Sequence, residues 1–107
     1  MSRFSDIVER LSAAIESRRG ADPKSSWSAK LLADPSLAAK KLAEEALEAA
    51  LAAGQNDNPA LAAESADLIY HWLVLLAAKG VSLDAVAAVL ETREGTSGVA
   101  EKAGRKR

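Results

Sequence analysis

Five carboxylates stand on two consecutive stretches of helical sequence, and they are Glu44, Glu45, Glu48, Glu64 and Asp67. At about 100° per residue, the first three fall within an arc of about 100°, and the last two share one helix face. Ionised carboxylates gathered beside apolar sequence repel one another and lose hydration, so they need protons or cations. Because hard divalent ions take oxygen ligands, and Mg²⁺ also tolerates water and phosphate oxygens, the pattern is compatible with a magnesium site.

The same acids also have a plainer interpretation as a solvated helix surface. Glu is a good helix former, and charged residues commonly cover the exposed face of a helix. Lys40 and Lys41 precede Glu44 and Glu45 at the spacing of ordinary surface ion pairs. Spacing alone therefore leaves a metal site and a solvated face both open.

Helices are predicted to position these acids, beginning with an amphipathic helix near the start of the chain. Apolar residues at helical spacing predict this first helix over roughly residues 4–18, capped by Ser2 or Ser5. A polar loop follows over residues 20–26, and a short helix is expected over residues 27–33. The loop is long enough to take part in binding.

Two longer helices carry the acids themselves. The first is expected to begin near Ser36 and to continue to residue 53, before Gly54. Asn58 can cap the next helix with Pro59 at its first position, and that helix reaches Lys79. Since only a turn separates them, the two helices are predicted to be antiparallel neighbours with their acidic groups facing each other.

The rest of the chain completes an all-α prediction. Ser82 or Asp84 is expected to open a last helix that fades near Arg93. Aromatic residues make up only 4% of the sequence, while Ala and Leu are abundant, which favours helices over strands. The predicted fold is a bundle of four to five helices over residues 1–94, with a basic C-terminal tail over residues 95–107.

The segment from Leu68 to Ala78 is apolar around nearly its whole circumference, so other elements must surround it. A second copy of the chain would cover it, which predicts a homodimer, and a tight monomeric bundle is the alternative. Tyr70 and Trp72 are expected to be core or interface residues. His71 either binds a carboxylate or the ligand, or is a buried imidazole satisfied by a neighbouring helix or subunit.

Composition excludes several classes of function. The chain has 107 residues, no Cys and one His, which excludes thiolate zinc sites, iron–sulfur clusters and cysteine nucleophiles. A net charge of -1 argues against a nucleic-acid partner. The apolar segment is shorter than the roughly 20 residues that span a bilayer, and no secretion signal is recognised, so we expect a cytoplasmic protein without a membrane partner.

The order of the acids resembles a known family signature, Glu45-x-x-Glu48 followed by Glu64-x-x-Asp67. This pattern is similar to the paired motif of the MazG-like superfamily of all-α nucleotide pyrophosphatases. Within that superfamily, Tyr70-His71 and the tail over residues 97–105 resemble the phosphoribosyl-ATP pyrophosphatase family. The resemblance implies hydrolysis of 1-(5-phosphoribosyl)-ATP to 1-(5-phosphoribosyl)-AMP and pyrophosphate, an early step of histidine biosynthesis.

The resemblance also implies roles for the acids. It makes Glu44, Glu45 and Glu48 the candidate catalytic residues. Three roles remain open for Glu44. It is a further metal ligand, a group that contacts a metal ligand, or the base that receives the proton of the attacking water. The residues implied to bind Mg²⁺ are Glu45, Glu48, Glu64 and Asp67.

Cations are needed to meet the remaining phosphate charge of such a substrate. Lys41 is the favoured phosphate contact because it precedes Glu44 by three residues on the same helix. Trp27, beside a polar loop, is a candidate for stacking on the base. The other candidate substrate contacts are Arg18, Lys24, Arg93, Lys102 and Arg105.

Two alternatives remain beside this prediction. A housecleaning pyrophosphatase that acts on deoxynucleoside triphosphates would suit the acidic motif equally well. A non-catalytic helical dimerisation module would explain the apolar segment and leave the acids on the surface. Clustered carboxylates that bind a cation predict a Mg²⁺-dependent rise in melting temperature, and a simple bundle predicts almost none.

Overall fold

The computed structural model describes residues 2–95 and folds them into five α-helices without a strand, which confirms the all-α class for that part of the chain. Residues 96–107, most of the predicted basic tail, lie outside the described residues. The helices are α1 (Arg3–Glu16), α2 (Trp27–Leu32), α3 (Pro35–Gly54), α4 (Asn58–Lys79) and α5 (Leu83–Thr92).

Each helix begins at a side chain that accepts a hydrogen bond from the backbone N–H three residues later, which satisfies one otherwise unpaired donor. The expected cap of α4 was wrong by one residue. Asp57 is the cap, its Oδ1 accepting from the N–H of Ala60 at 3.0 Å, and Asn58 is already helical. The full set of caps is Ser2, Ser26, Asp34, Asp57 and Ser82.

The helix pair α3 and α4 is the most extensive contact of the fold, and it positions the acids. Residues 55–57 connect the two helices, with Asn56 at a φ of 57°, a left-handed conformation that Asn tolerates. α2 packs against both helices and α1 packs against α4. The buried core that results is Ile15, Leu31, Leu32, Ala38, Leu73 and Val74.

α5 and parts of α1 and α3 leave apolar side chains in contact with solvent. α5 has no buried residue, and Leu90 on it is 59% exposed. Phe4 on α1 is 63% exposed, and Leu47 on α3 is 60% exposed. The bundle within residues 2–95 therefore has large apolar groups that it does not cover itself.

α4 is long and apolar enough, by length and composition alone, to cross a membrane. The helix has 22 residues with a mean hydropathy of 1.3, so it is longer than the apolar segment Leu68 to Ala78 that it contains. It is also the helix on which α1, α2 and α3 pack, and it carries Glu64 and Asp67. Charged side chains inside a bilayer are costly, so these features favour the core helix of a bundle.

Candidate metal centre

Three carboxylates converge where α3 faces α4. Glu45 and Glu48 lie three residues apart on α3, so they occupy one face, and Glu64 reaches them from the facing helix. Each offers one oxygen, and these oxygens all lie within 4.8 Å of one another. Glu45 and Glu64 are half-buried, while Glu48 is exposed. The group is therefore partly open to solvent.

The electrostatics of this group disfavour full ionisation. Burial raises the pKa of Glu45, and the hydrogen bond and charge of Glu48 raise it further, followed by the charges of Asp67 and Glu64. Burial also raises the pKa of Glu64, with the charges of Glu48 and Asp67 acting in the same direction. Asp67 is not one of the three converging residues, but its charge acts on two of them. Bringing a positive charge to this place would relieve the repulsion.

One atom of the group has no hydrogen-bond partner within residues 2–95. Oε1 of Glu45 is buried and accepts no hydrogen bond from the described residues. A buried acceptor without a partner costs free energy, and a native structure generally satisfies it with protein, water or an ion. An orphaned carboxylate oxygen beside two further carboxylates is the donor set that a hard divalent cation takes. The residues present thus fit a metal ion.

Glu44 is oriented to a different neighbour from the other acids of α3. Its Oε1 accepts from Nζ of Lys41 at 3.2 Å, the ordinary pairing that the sequence left open. The same Nζ lies 5.9 Å from the ring centroid of Trp27, and Nζ of Lys30 lies 5.7 Å from it. Both ammonium groups are within the range of a cation–π contact. Lys41 therefore stands between the acids of α3 and an indole ring that is 43% exposed.

Two hydrogen bonds join the first turn of α2 to α4. Nε1 of Trp27 donates to Nε2 of His71 at 3.5 Å, and the hydroxyls of Ser28 and Tyr70 are 2.5 Å apart. Nδ1 of His71 lies 2.8 Å from the carbonyl oxygen of Asp67. Of the two expectations for His71, the structure shows the buried imidazole, which is satisfied by Trp27 of a neighbouring helix and by the Asp67 carbonyl of its own helix.

These two hydrogen bonds between α2 and α4 were not predicted from the sequence. The partners are 42 and 44 residues apart in the chain, so no local pattern pairs them. A weaker signal did exist, because Tyr70 and His71 are polar groups inside the most apolar segment and a buried polar group must find a partner. Burial of these two polar groups indicated that each has a hydrogen-bond partner, but it did not identify the partner.

Two of the remaining predicted substrate contacts, Arg18 and Lys24, are not brought to the acids by any described contact. Arg18 and Lys24 are exposed, and within residues 2–95 their side chains form no hydrogen bond or ion pair with the acidic group. Arg93 is the C-cap of α5. The predictions for Lys102 and Arg105 lie outside the described residues.

Comparison with known proteins gives consistent matches over almost the whole chain. Residues 8–94 match the family model described as "Phosphoribosyl-ATP pyrophosphohydrolase". A Caulobacter vibrioides protein is 65% identical over 103 residues, which cover 96% of each chain, and a protein of Caulobacter sp. strain K31 is 64% identical over 98% of each. A Cereibacter sphaeroides protein is 59% identical over 92% of this chain and 97% of its own length. All three relatives are named phosphoribosyl-ATP pyrophosphatase.

Proposed function

Because this chain belongs to the phosphoribosyl-ATP pyrophosphohydrolase family, we propose that it hydrolyses 1-(5-phosphoribosyl)-ATP to 1-(5-phosphoribosyl)-AMP and pyrophosphate. The observation that carries the proposal is the family match over residues 8–94, which include all the converging acids. The reaction places the enzyme in histidine biosynthesis, and such an enzyme works in the cytoplasm. Residues 1–94 are the proposed catalytic domain, and residues 95–107 are a basic tail.

The cation of the reaction is proposed to be Mg²⁺, held by the converging acids. When bound, Mg²⁺ offsets the charge of the polyphosphate and makes a water molecule acidic enough to attack phosphorus near neutral pH. The orphaned Oε1 of Glu45 and the raised pKa values of Glu45 and Glu64 support a cation at this place. The proposed ligands are Glu45, Glu48, Glu64 and Asp67.

The chain's own groups then have defined tasks in the hydrolysis. The oxygen of water attacks the α-phosphorus. The bond from that phosphorus to the oxygen bridging the α- and β-phosphates breaks, and pyrophosphate leaves with the bridging oxygen. Glu44 is proposed to take up the proton of the water, since it directly precedes the proposed ligand Glu45 on α3 but lies outside the group of three converging oxygens. Its contact with Lys41 orients that carboxylate, and Lys41 is itself a proposed phosphate contact.

Binding of the substrate's charge and base is assigned to the side of the site where α2 meets α3. Lys41 is proposed to contact phosphate, because its ammonium lies beside both Glu44 and the ring of Trp27. The exposed part of that ring offers a surface on which a base can stack. Further phosphate contacts are proposed for Arg18, Lys24, Arg93, Lys102 and Arg105.

A second copy of the chain is the proposed cover for the exposed apolar side chains. Fully burying one large apolar side chain contributes about 1.5–3 kcal/mol. Phe4, Leu47 and Leu90 are each more than half exposed, so an interface that buried them in both copies would gain considerably. We therefore propose a homodimer, with no nucleic-acid or membrane partner.

The decisive assay is release of pyrophosphate from phosphoribosyl-ATP, compared with a panel of deoxynucleoside triphosphates, with Mg²⁺ and with a chelator. We expect Mg²⁺-dependent hydrolysis with a kcat/KM for phosphoribosyl-ATP far above that for every triphosphate. A higher kcat/KM for a deoxynucleoside triphosphate would indicate the housecleaning activity instead. Failure to hydrolyse any of these compounds would leave the dimerisation module as the better interpretation.

A further inference from the structure

A line of hydrogen bonds connects the acidic turn of α4 to the indole ring at the start of α2. The carbonyl oxygen of Asp67 lies 2.8 Å from Nδ1 of His71, and Nε2 of that imidazole lies 3.5 Å from Nε1 of Trp27. His71 is only 8% exposed, so water does not compete freely for either ring nitrogen. One buried side chain thus touches both a proposed ligand residue and the proposed stacking residue.

The two partners of His71 determine where the imidazole carries its hydrogen. A backbone carbonyl only accepts a hydrogen bond, and an indole N–H only donates one. Both are satisfied when Nδ1 carries the hydrogen and Nε2 presents a lone pair, because which nitrogen is protonated follows from the bonds that each makes. The opposite tautomer would place two N–H groups against each other and two acceptors against each other. The two contacts therefore fit the Nδ1–H tautomer, with Nε2 as the acceptor.

Within residues 2–95, Trp27 makes one side-chain hydrogen bond, through Nε1, and two lysine ammonium groups lie near its ring. It is the first residue of α2, a helix of six residues, and it is 43% exposed. The lysine ammonium groups near it stand at the ends of flexible stems, so they restrain the ring less than a directional hydrogen bond does. The hydroxyls of Ser28 and Tyr70 join the same two helices but do not touch the indole. Among residues 2–95, His71 is the one hydrogen-bond partner of the indole N–H, so this bond is the directional restraint on rotation of the ring.

We propose that His71 is a positioning residue that sets substrate affinity: as the Nδ1–H tautomer it fixes the ring of Trp27 relative to Lys41 and the acidic turn. The proposal rests on the proposed function, because it assumes that the ring receives the substrate's base. His71 takes no part in proton transfer. Its effect is on the orientation of a binding surface that must be in place before the substrate arrives.

The tautomer can be observed directly. The chain has one His, so a long-range proton–nitrogen correlation spectrum of the ¹⁵N-labelled protein contains a single set of imidazole signals. We expect a protonated Nδ1 and an unprotonated Nε2 at neutral pH, in the absence of substrate. A protonated Nε2 would overturn the proposal. This measurement uses the unaltered protein, so it does not depend on whether any variant folds.

Kinetics with phosphoribosyl-ATP test the consequence for binding. Trp27→Phe keeps a stacking ring and loses the N–H, and His71→Asn keeps a donor for the Asp67 carbonyl and loses the acceptor at the Nε2 position. Each should raise KM about two- to tenfold, the effect of one neutral hydrogen bond. kcat should stay within about twofold, because the interaction is equal in ground state and transition state. The double variant should be no worse than the worse single variant, because both remove the same bond.

Two further variants separate positioning of the ring from general docking of α2. His71→Gln places an acceptor near the Nε2 position and should restore KM to within about twofold of the unaltered enzyme. Tyr70→Phe, the matched control, removes the other hydrogen bond between α2 and α4 and should leave KM unchanged. Additive effects of the Trp27 and His71 variants, or an equal rise in KM for Tyr70→Phe, would overturn the proposal.

The proposed function and the positioning role of His71 can be refuted separately. If the unaltered protein does not hydrolyse phosphoribosyl-ATP, the proposed function fails, while the tautomer of His71 is still read from the spectrum. If the unaltered protein is active and the Trp27 and His71 variants keep its KM, only the positioning role is refuted.

Discussion

Removing one charge from the converging acids should change stability in opposite directions with and without Mg²⁺. Without a cation, ionised Glu45 repels Glu48 and Glu64, and no residue in the described part of the chain donates a hydrogen bond to its buried Oε1. Glu45→Gln removes the charge at nearly constant volume and adds an amide that can donate to a neighbouring carboxylate. In a chelator, we therefore expect the variant to melt at the same temperature as the unaltered protein or above it.

Mg²⁺ should reverse this order, and the size of the effect follows from linkage. A ligand at ten times its Kd stabilises the folded state by about 1.4 kcal/mol. A domain of about 100 residues shifts its Tm by about 4–8 °C per kcal/mol, so the unaltered protein should gain roughly 5–11 °C. Glu45→Gln loses a charged ligand, and its gain at the same Mg²⁺ concentration should fall to a small fraction of that value.

The assay is thermal unfolding followed by circular dichroism at 222 nm, an observable suited to an all-α chain, over a series of Mg²⁺ concentrations. Glu91→Gln is the matched control, because it removes an exposed carboxylate from α5, away from the converging acids. It should keep the full Mg²⁺-dependent gain. An unaltered protein whose Tm ignores Mg²⁺, or a Glu45→Gln gain equal to that of the control, would refute the assignment of the cation to this site.

Further predictions concern catalysis, phosphate binding, pH and assembly. Asp67→Asn should lower kcat/KM with Mg²⁺ by about 10–100-fold or more, as steady-state pyrophosphate release would show. Lys41→Ala should raise KM about 10–100-fold through loss of a charge-assisted hydrogen bond, and an unchanged KM would count against it. Since the folded-state pKa values of Glu45 and Glu64 lie above 4.5, the folded state binds more protons than the unfolded state, and that part of stability is lost as pH rises through the folded pKa. In a chelator, Tm should accordingly rise as pH falls from neutral towards about 4.5, and a flat or falling Tm there would contradict the pKa directions. Light scattering of the unaltered protein should give a mass of twice 11.2 kDa, and a mass of 11.2 kDa would refute the proposed dimer. Leu90→Glu should raise the dimer dissociation constant about 100-fold or more.

The helices and the meeting of the acids were predictable because both depend on short-range rules. Helical periodicity placed Glu45 and Glu48 on one face, and a three-residue turn brought Glu64 opposite them. The cap of α4 was less determined, because Asp57 and Asn58 are adjacent and both are good caps. A difference of one residue there moves no acid to another face, so the error had no effect on the site.

Contacts between α2 and the rest of the fold were not predictable in the same way. A helix of six residues has too few apolar positions to state which of its neighbours it faces, and its partners on α4 are more than 40 residues away. Glu44 shows the complementary limit. Its sequence position suits a ligand and an ion pair with Lys41 equally well, and only the direction of the side chain distinguishes them.

The two halves of α4 have opposite effects on stability, and their continuity explains how so small a bundle can hold a cluster of acids. Its first half carries Glu64 and Asp67, whose mutual repulsion opposes folding, and its second half supplies Leu73 and Val74 to the core. Because both halves belong to one continuous helix, burial of the second half fixes the position of the first relative to α3. The Glu64 oxygen is thus held close to those of α3 by apolar packing about two to three turns away on α4. A cation would then bind to carboxylates whose approach the core has already enforced, which is the reason that its binding should appear as added stability.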